Sequence, residues 1–187
     1  MNYSEYKSFF DEIVKSEAPI APYDNEFFFN YVKMNQARLK RWDKHLQLDS
    51  ELVTLIENNK IQQHWIIISE PWCGDAAHIV PFIIRIAEVS PLISYEIQLR
   101  DKEPFLIDNY LTNGGKAIPK LIIRDENQND LVVWGPRPQG AQAVYDNLKK
   151  NNATNDELSI GLQKWYNLND GEEIQFELKN IFRKINQ

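Results

Sequence analysis

One cysteine stands in this chain, within Trp72-Cys73-Gly74-Asp75-Ala76. A thiol attacks disulfides as its thiolate, so its reactivity follows the environment that sets its charge. Before the motif, Trp65-Ile66-Ile67-Ile68 is a short, largely β-branched run that predicts a buried strand. After it, Ile79, Val80, Ile83, Ile86 and Ala87 recur at helical spacing, predicting a helix over 75–89. Cys73 then falls at a helix N-terminus, where unpaired amides and the positive end of the dipole favour thiolate. The amides of Asp75 and Ala76 are placed to donate to its sulfur. The Asp75 carboxylate acts in the opposite sense, or serves only to compensate the dipole in the first turn. Ala76 stands where dithiol chemistry would need a second sulfur, so any exchange through Cys73 requires an external thiol. The competing reading of Cys73 is a small, inert core residue.

The elements that must position this thiol follow from periodicity and punctuation. Residues 2 to 17 predict a helix with Phe9, Phe10, Ile13 and Val14 on one face, interrupted by Pro19 and Pro22. Asp24 or Asn25 can cap a second helix reaching about His45, with Phe28, Tyr31, Val32, Leu39 and Trp42 as its stripe. Asp49-Ser50 starts a third, short helix that ends near Asn58-Asn59. From 62 to about 149 the element types alternate. A strand over 64–69 leads to the helix over 75–89, a strand over 93–99 and a helix near 104–111. Strands at 121–123 and 131–134 follow, then a helix over roughly 138–150 with Pro138 in its first turn. The order β-α-β-α-β-β-α predicts a right-handed crossover followed by a hairpin. A polar linker, Asn151 to Asn155, precedes one or two amphipathic helices. Three parts result: an N-terminal helical region (1–61), an α/β region (62–150) and a C-terminal helical extension (151–187).

Composition bounds the partners. With 43% hydrophobic and 12% aromatic residues over 187 positions, the chain has material for a packed core. A net charge of −6 argues against non-specific binding to nucleic acid or to an anionic membrane. A single cysteine excludes an intramolecular disulfide. His45, His64 and His78 form no metal-ligating pattern with it, so no metal is expected. No segment reaches the roughly 20 apolar residues of a membrane span, and no secretory signal precedes the first helix; the expected location is cytoplasmic.

Two segments carry a resemblance. Trp72-Cys73-Gly74 sits at the start of the first helix after a strand, and Ala117-Ile118-Pro119 immediately precedes another strand. With Glu70-Pro71, Leu111 to Lys116 and Trp134-Gly135-Pro136-Arg137-Pro138, these resemble the thioredoxin-like superfamily, in particular a poorly characterised bacterial subfamily with this Trp-Cys-Gly-Asp-Ala motif. The resemblance implies a thioredoxin-like α/β fold with helical additions at both ends. It also implies a cis peptide before Pro119 that faces Cys73, and a peptide-binding edge at Ile118-Pro119. The chain departs from thioredoxin itself in two ways: Ala76 replaces the resolving cysteine, and Ile66-Ile67-Ile68 offers no buried acid in the first strand.

The leading expectation is monothiol exchange. Cys73 would attack a protein disulfide or S-thiolated protein, and a low-molecular-weight thiol would resolve the mixed disulfide. Candidate binding residues beside it are Trp72, Gly74, Asp75, Ile118 and Pro119, with Arg100 and Arg137 placed by the fold near the same end of the sheet. Either arginine could steady a thiolate or hold a carboxylate, or be an ordinary surface residue. No cofactor is implied, and the oligomeric state is left open. The alternative is a redox-inactive thioredoxin-fold module that binds a protein or peptide; burial of Cys73 would favour it.

Overall fold

A computed structural model describes residues 1–185. Three helices come first: α1 (Tyr3–Lys15), α2 (Glu26–His45) and α3 (Ser50–Glu57). Their starts are set by short polar side chains that accept from orphan amides: Asn2 in a capping box with Glu5, Asn25 from Phe27, and Asp49 from Leu52. The α/β part then runs β1 (Gln63–Ser69), α4 (Gly74–Ala87), β2 (Ile93–Leu99), a 3₁₀ turn (Leu106–Asn109), β3 (Lys120–Asp125), β4 (Asp130–Trp134) and α5 (Gln139–Lys150). Two helices close the chain, α6 (Asn155–Asn169) and α7 (Glu172–Ile185).

The sheet order is β2-β1-β3-β4. β1 and β2 are parallel, joined through α4, whereas β3 runs antiparallel to both β1 and β4. This mixed four-stranded sheet flanked by helices is the thioredoxin-like arrangement expected from the element order. Ile66, Ile67 and Ile68 are all buried, as an interior strand covered on both faces requires. α4 is buried nearly all round, because α2, the strands β1 and β2, and the helices α6 and α7 all pack on it. One hydrophobic core joins α1, α2, the sheet, α4 and the C-terminal helices; Trp65 of β1 meets Phe182 of α7.

Gly171 forms the α6–α7 corner at φ +82°, and a side chain there would collide with the Phe82 ring of α4. The expected helix near 104–111 is only the four-residue 3₁₀ turn. Phe105 adopts left-handed backbone (φ 52°) and stops any regular helix from starting earlier. Arg137 stands in the loop before α5, since Pro138 is the N-cap and helix begins at Gln139.

Candidate functional site: the cavity over Cys73

β1 ends at Ser69, and the chain turns at once into α4 through Glu70-Pro71-Trp72. The Cys73 amide donates to the Glu70 carbonyl (3.0 Å), closing that turn. Cys73 is the N-cap of α4, and its sulfur accepts from the Ala76 amide at 3.5 Å. The thiol donates in turn to the carbonyl of Ile118, 3.4 Å away, and the Ile118–Pro119 peptide is cis. Gly135 (φ +114°) lies behind this peptide so closely that a Cβ would fall 2.4 Å from the Pro119 carbonyl oxygen.

The thiolate expected from helix-start placement is not the resting state. Cys73 is 7% exposed. Burial, followed by the charge of Asp75, pushes its pKa up to about 12, and the Ala76 amide and Arg137 do not offset them. Hydration lost on burial outweighs the dipole here because the Ala76 amide contact is long and the Arg137 charge is already held by Asp75.

Asp75 leads into a polar network in which only one buried atom, Arg137 Nε, lacks a partner among the described residues. One carboxylate oxygen meets the Arg137 guanidinium at 2.7 Å, and the other accepts from the Tyr166 hydroxyl at 2.8 Å. Burial works against the Arg137 charge, yet the attraction and hydrogen bond of Asp75 raise its pKa. Arg137 also donates to Gln142 and lies over the Tyr145 ring. Tyr166 stacks on His78, with centroids 4.5 Å apart and planes 5° from parallel. His78 Nδ1 accepts from Trp42 Nε1 (3.0 Å), so its Nε2 carries the hydrogen directed at Gln163 Oε1 (3.1 Å). Burial depresses the His78 pKa to about 3, and the ring is neutral.

The facing wall comes from α2. Buried Asn35 donates to the Pro71 carbonyl (2.8 Å) and accepts from Arg38 Nη1 (2.7 Å). Arg38 lies across Gly74, where an added Cβ would stand 3.4 Å from Nη1. Trp72 is half-buried between Phe28, edge-on at 5.7 Å, and the Arg100 guanidinium, 4.5 Å from its ring centre. Arg100 is already held by both oxygens of Asp101, at 2.8 and 2.7 Å.

These walls enclose a cavity of about 400 Å³ with Cys73 on its surface. Trp72, Gly74, Asp75, Ile118, Arg100 and Arg137 line it too. Pro119 does not line it and lies buried beneath, against Gly135. Sequence reasoning missed Asn35, Arg38, Gln163 and Tyr166, which come from helices outside the α/β part. A signal existed for Asn35, a polar residue between Val32 and Leu39 on the buried stripe of α2. Glu70, one residue past β1, is a buried acid that reading the strand alone overlooked; burial raises its pKa, and it binds the Asp101 amide and the Tyr23 hydroxyl. Among the described residues, no group of three or more His, Cys, Asp or Glu is placed to hold a metal ion.

A thioredoxin family model matches residues 21–149, more than half of the chain. The chain belongs to this thioredoxin family. The matched region begins within the N-terminal helical part, so α2, which supplies Asn35 and Arg38, falls inside it. Comparison with curated proteins gives no match. Among solved structures, a Pseudomonas aeruginosa protein of unknown function aligns at 16% identity and a TM-score of 0.49, over 92% of this chain and 99% of that one. An HIV epitope-scaffold aligns at 17% identity and a TM-score of 0.48, over 91% and 99%. No helix among the described residues is long and apolar enough to cross a membrane.

Proposed function

We propose that this thioredoxin-family chain is a redox-inert binding module whose ligand enters the cavity over Cys73. The supporting observation is the state of the thiol: buried, donating to the Ile118 carbonyl, with a pKa near 12. At neutral pH the thiol is then protonated. Cys73 in this reading is a hydrogen-bond donor that holds the Ile118 backbone in place. A cytoplasmic location fits a lone cysteine kept reduced.

A second reading, monothiol exchange, is favoured by one observation: Cys73 borders the cavity and faces the backbone just before Pro119. There the Cys73 thiolate attacks one sulfur of a disulfide, the new S–S bond forms, and the other sulfur leaves as a thiolate that takes up a proton. An external thiolate then attacks the substrate sulfur of this mixed disulfide, forming a new S–S bond to it and releasing Cys73 as a thiolate. The two readings separate in the pH dependence of Cys73 alkylation by iodoacetamide, with Cys73→Ser as blank. Slow modification that is still accelerating above pH 10 supports the binding module. Rapid modification with a midpoint below the free-thiol value of about 8.5 would establish exchange chemistry in its place.

A further inference from the structure

The cavity wall carries five cationic side chains, Arg38, Arg100, Lys116, Arg137 and Lys149, and a single carboxylate, Asp75, in a chain of net charge −6. Three of the five are already paired: Arg100 with Asp101, Lys116 with Asp108, and Arg137 with Asp75. Lys149 is exposed and lies near the Tyr145 ring. Arg38 differs from all of these. It is half-buried, bonds only to the amide oxygen of Asn35, and has no carboxylate within ion-pair distance among the described residues. Burial lowers its pKa, and the longer-range attraction of Asp75 does not offset the lost hydration. A guanidinium offers five donors, of which the Asn35 contact uses one. The same cavity wall also carries the aromatic side chains of Phe28, Tyr31 and Trp72. A planar donor fork and aromatic side chains on the wall of one cavity of about 400 Å³ suit a carboxylate borne on an apolar or aromatic body.

We propose that the cavity over Cys73 is a binding site for an aryl-bearing carboxylate, with Arg38 as its anchor and Phe28 and Trp72 as the surface on which the aryl group lies. The proposal rests on the binding reading above and names its ligand class. The carboxylate has two possible sources, a free organic acid or the C-terminus of a peptide ending in an aromatic residue. The chemistry at Arg38 is the same for both.

Titration calorimetry on the full chain tests it with two matched pairs: 3-phenylpropionate against 3-phenylpropanamide, and acetyl-Gly-Phe with a free C-terminus against its amide. At least one acid is expected to bind about tenfold or more tightly than its amide, and Arg38→Gln to remove that preference. The pair showing the preference identifies the source. Thermal unfolding checks that the variant is folded, and Arg38→Lys, which keeps charge but loses the fork, should retain only part of the preference. Equal binding of acids and amides, no binding of either acid, or a preference unaffected by Arg38→Gln overturns the proposal. Cys73→Ser distinguishes this from the reading beneath it. Acid binding that survives Cys73→Ser but not Arg38→Gln supports both, whereas rapid Cys73 alkylation together with Arg38-dependent acid binding refutes redox inertness and leaves the carboxylate site standing.

Discussion

Arg137 and Arg38 both reach the start of α4, and the protein treats them differently. Arg137, from the loop before α5, is held by three neighbours, with its buried Nε left unpaired among the described residues. Asp75 takes its charge, Gln142 takes a further donor and Tyr145 covers its face. Arg38, from α2, has one amide oxygen and an open cavity. An ion pair this well buried is a structural commitment, since removing either partner strands the other away from water. An unpaired guanidinium at a cavity wall contributes little to folding and keeps its donors available. The C-terminal side of the site therefore reads as architecture and the α2 side as the face that meets a ligand.

The largest expected effect breaks the architectural side. Arg137→Gln leaves Asp75 buried without its counter-charge, and should cost about 3–5 kcal/mol in urea unfolding. If it proves as mild as Arg38→Gln, the contrast between the two arginines is lost. Next in size is acid sensitivity from the same network. His78 is held neutral with a pKa near 3, below the unfolded value of about 6.5. The unfolded chain thus binds the proton first, and the stability held above pH 6.5 falls as pH drops from there toward 3. At pH 5 the loss is about 2 kcal/mol, at roughly 1.4 kcal/mol per pH unit. Urea midpoints between pH 7 and pH 4.5 should show this slope, flattened in His78→Gln. The smallest effect sharpens the other side: Arg38→Gln should leave unfolding stability within about 0.5 kcal/mol of the parent, measured by the same urea titration.

The fold was readable wherever one residue type decides a local question. The expected strand over 93–99 is β2, and of the two expected caps, Asp24 or Asn25, it is Asn25 that heads α2, as Asp49 heads α3. The segment after Lys102 was not readable, because a left-handed Phe105 and a four-residue turn leave too little periodic sequence to register. At the site, the motif around Cys73 drew attention to the right loop, yet its electrostatics were invisible. The dipole argument uses only the residues next in sequence, while the burial that overrides it is imposed by Ile118, 45 positions away, and by the helices beyond. Tyr166 lies 91 positions from the carboxylate it holds, and no spacing rule connects them.

The corner at Gly171 has a consequence for where this molecule can be cut. The family match stops at residue 149, which invites a shortened chain ending there. Phe82 is covered by that corner, Trp65 by Phe182, and the Trp134 indole by Glu177, all beyond residue 149. A chain ending at the family boundary would present two large aromatic rings and an unanswered indole N–H to water, a surface prone to self-association. The border drawn by similarity and the border drawn by packing are different lines, and a shortened version for the laboratory should respect the second.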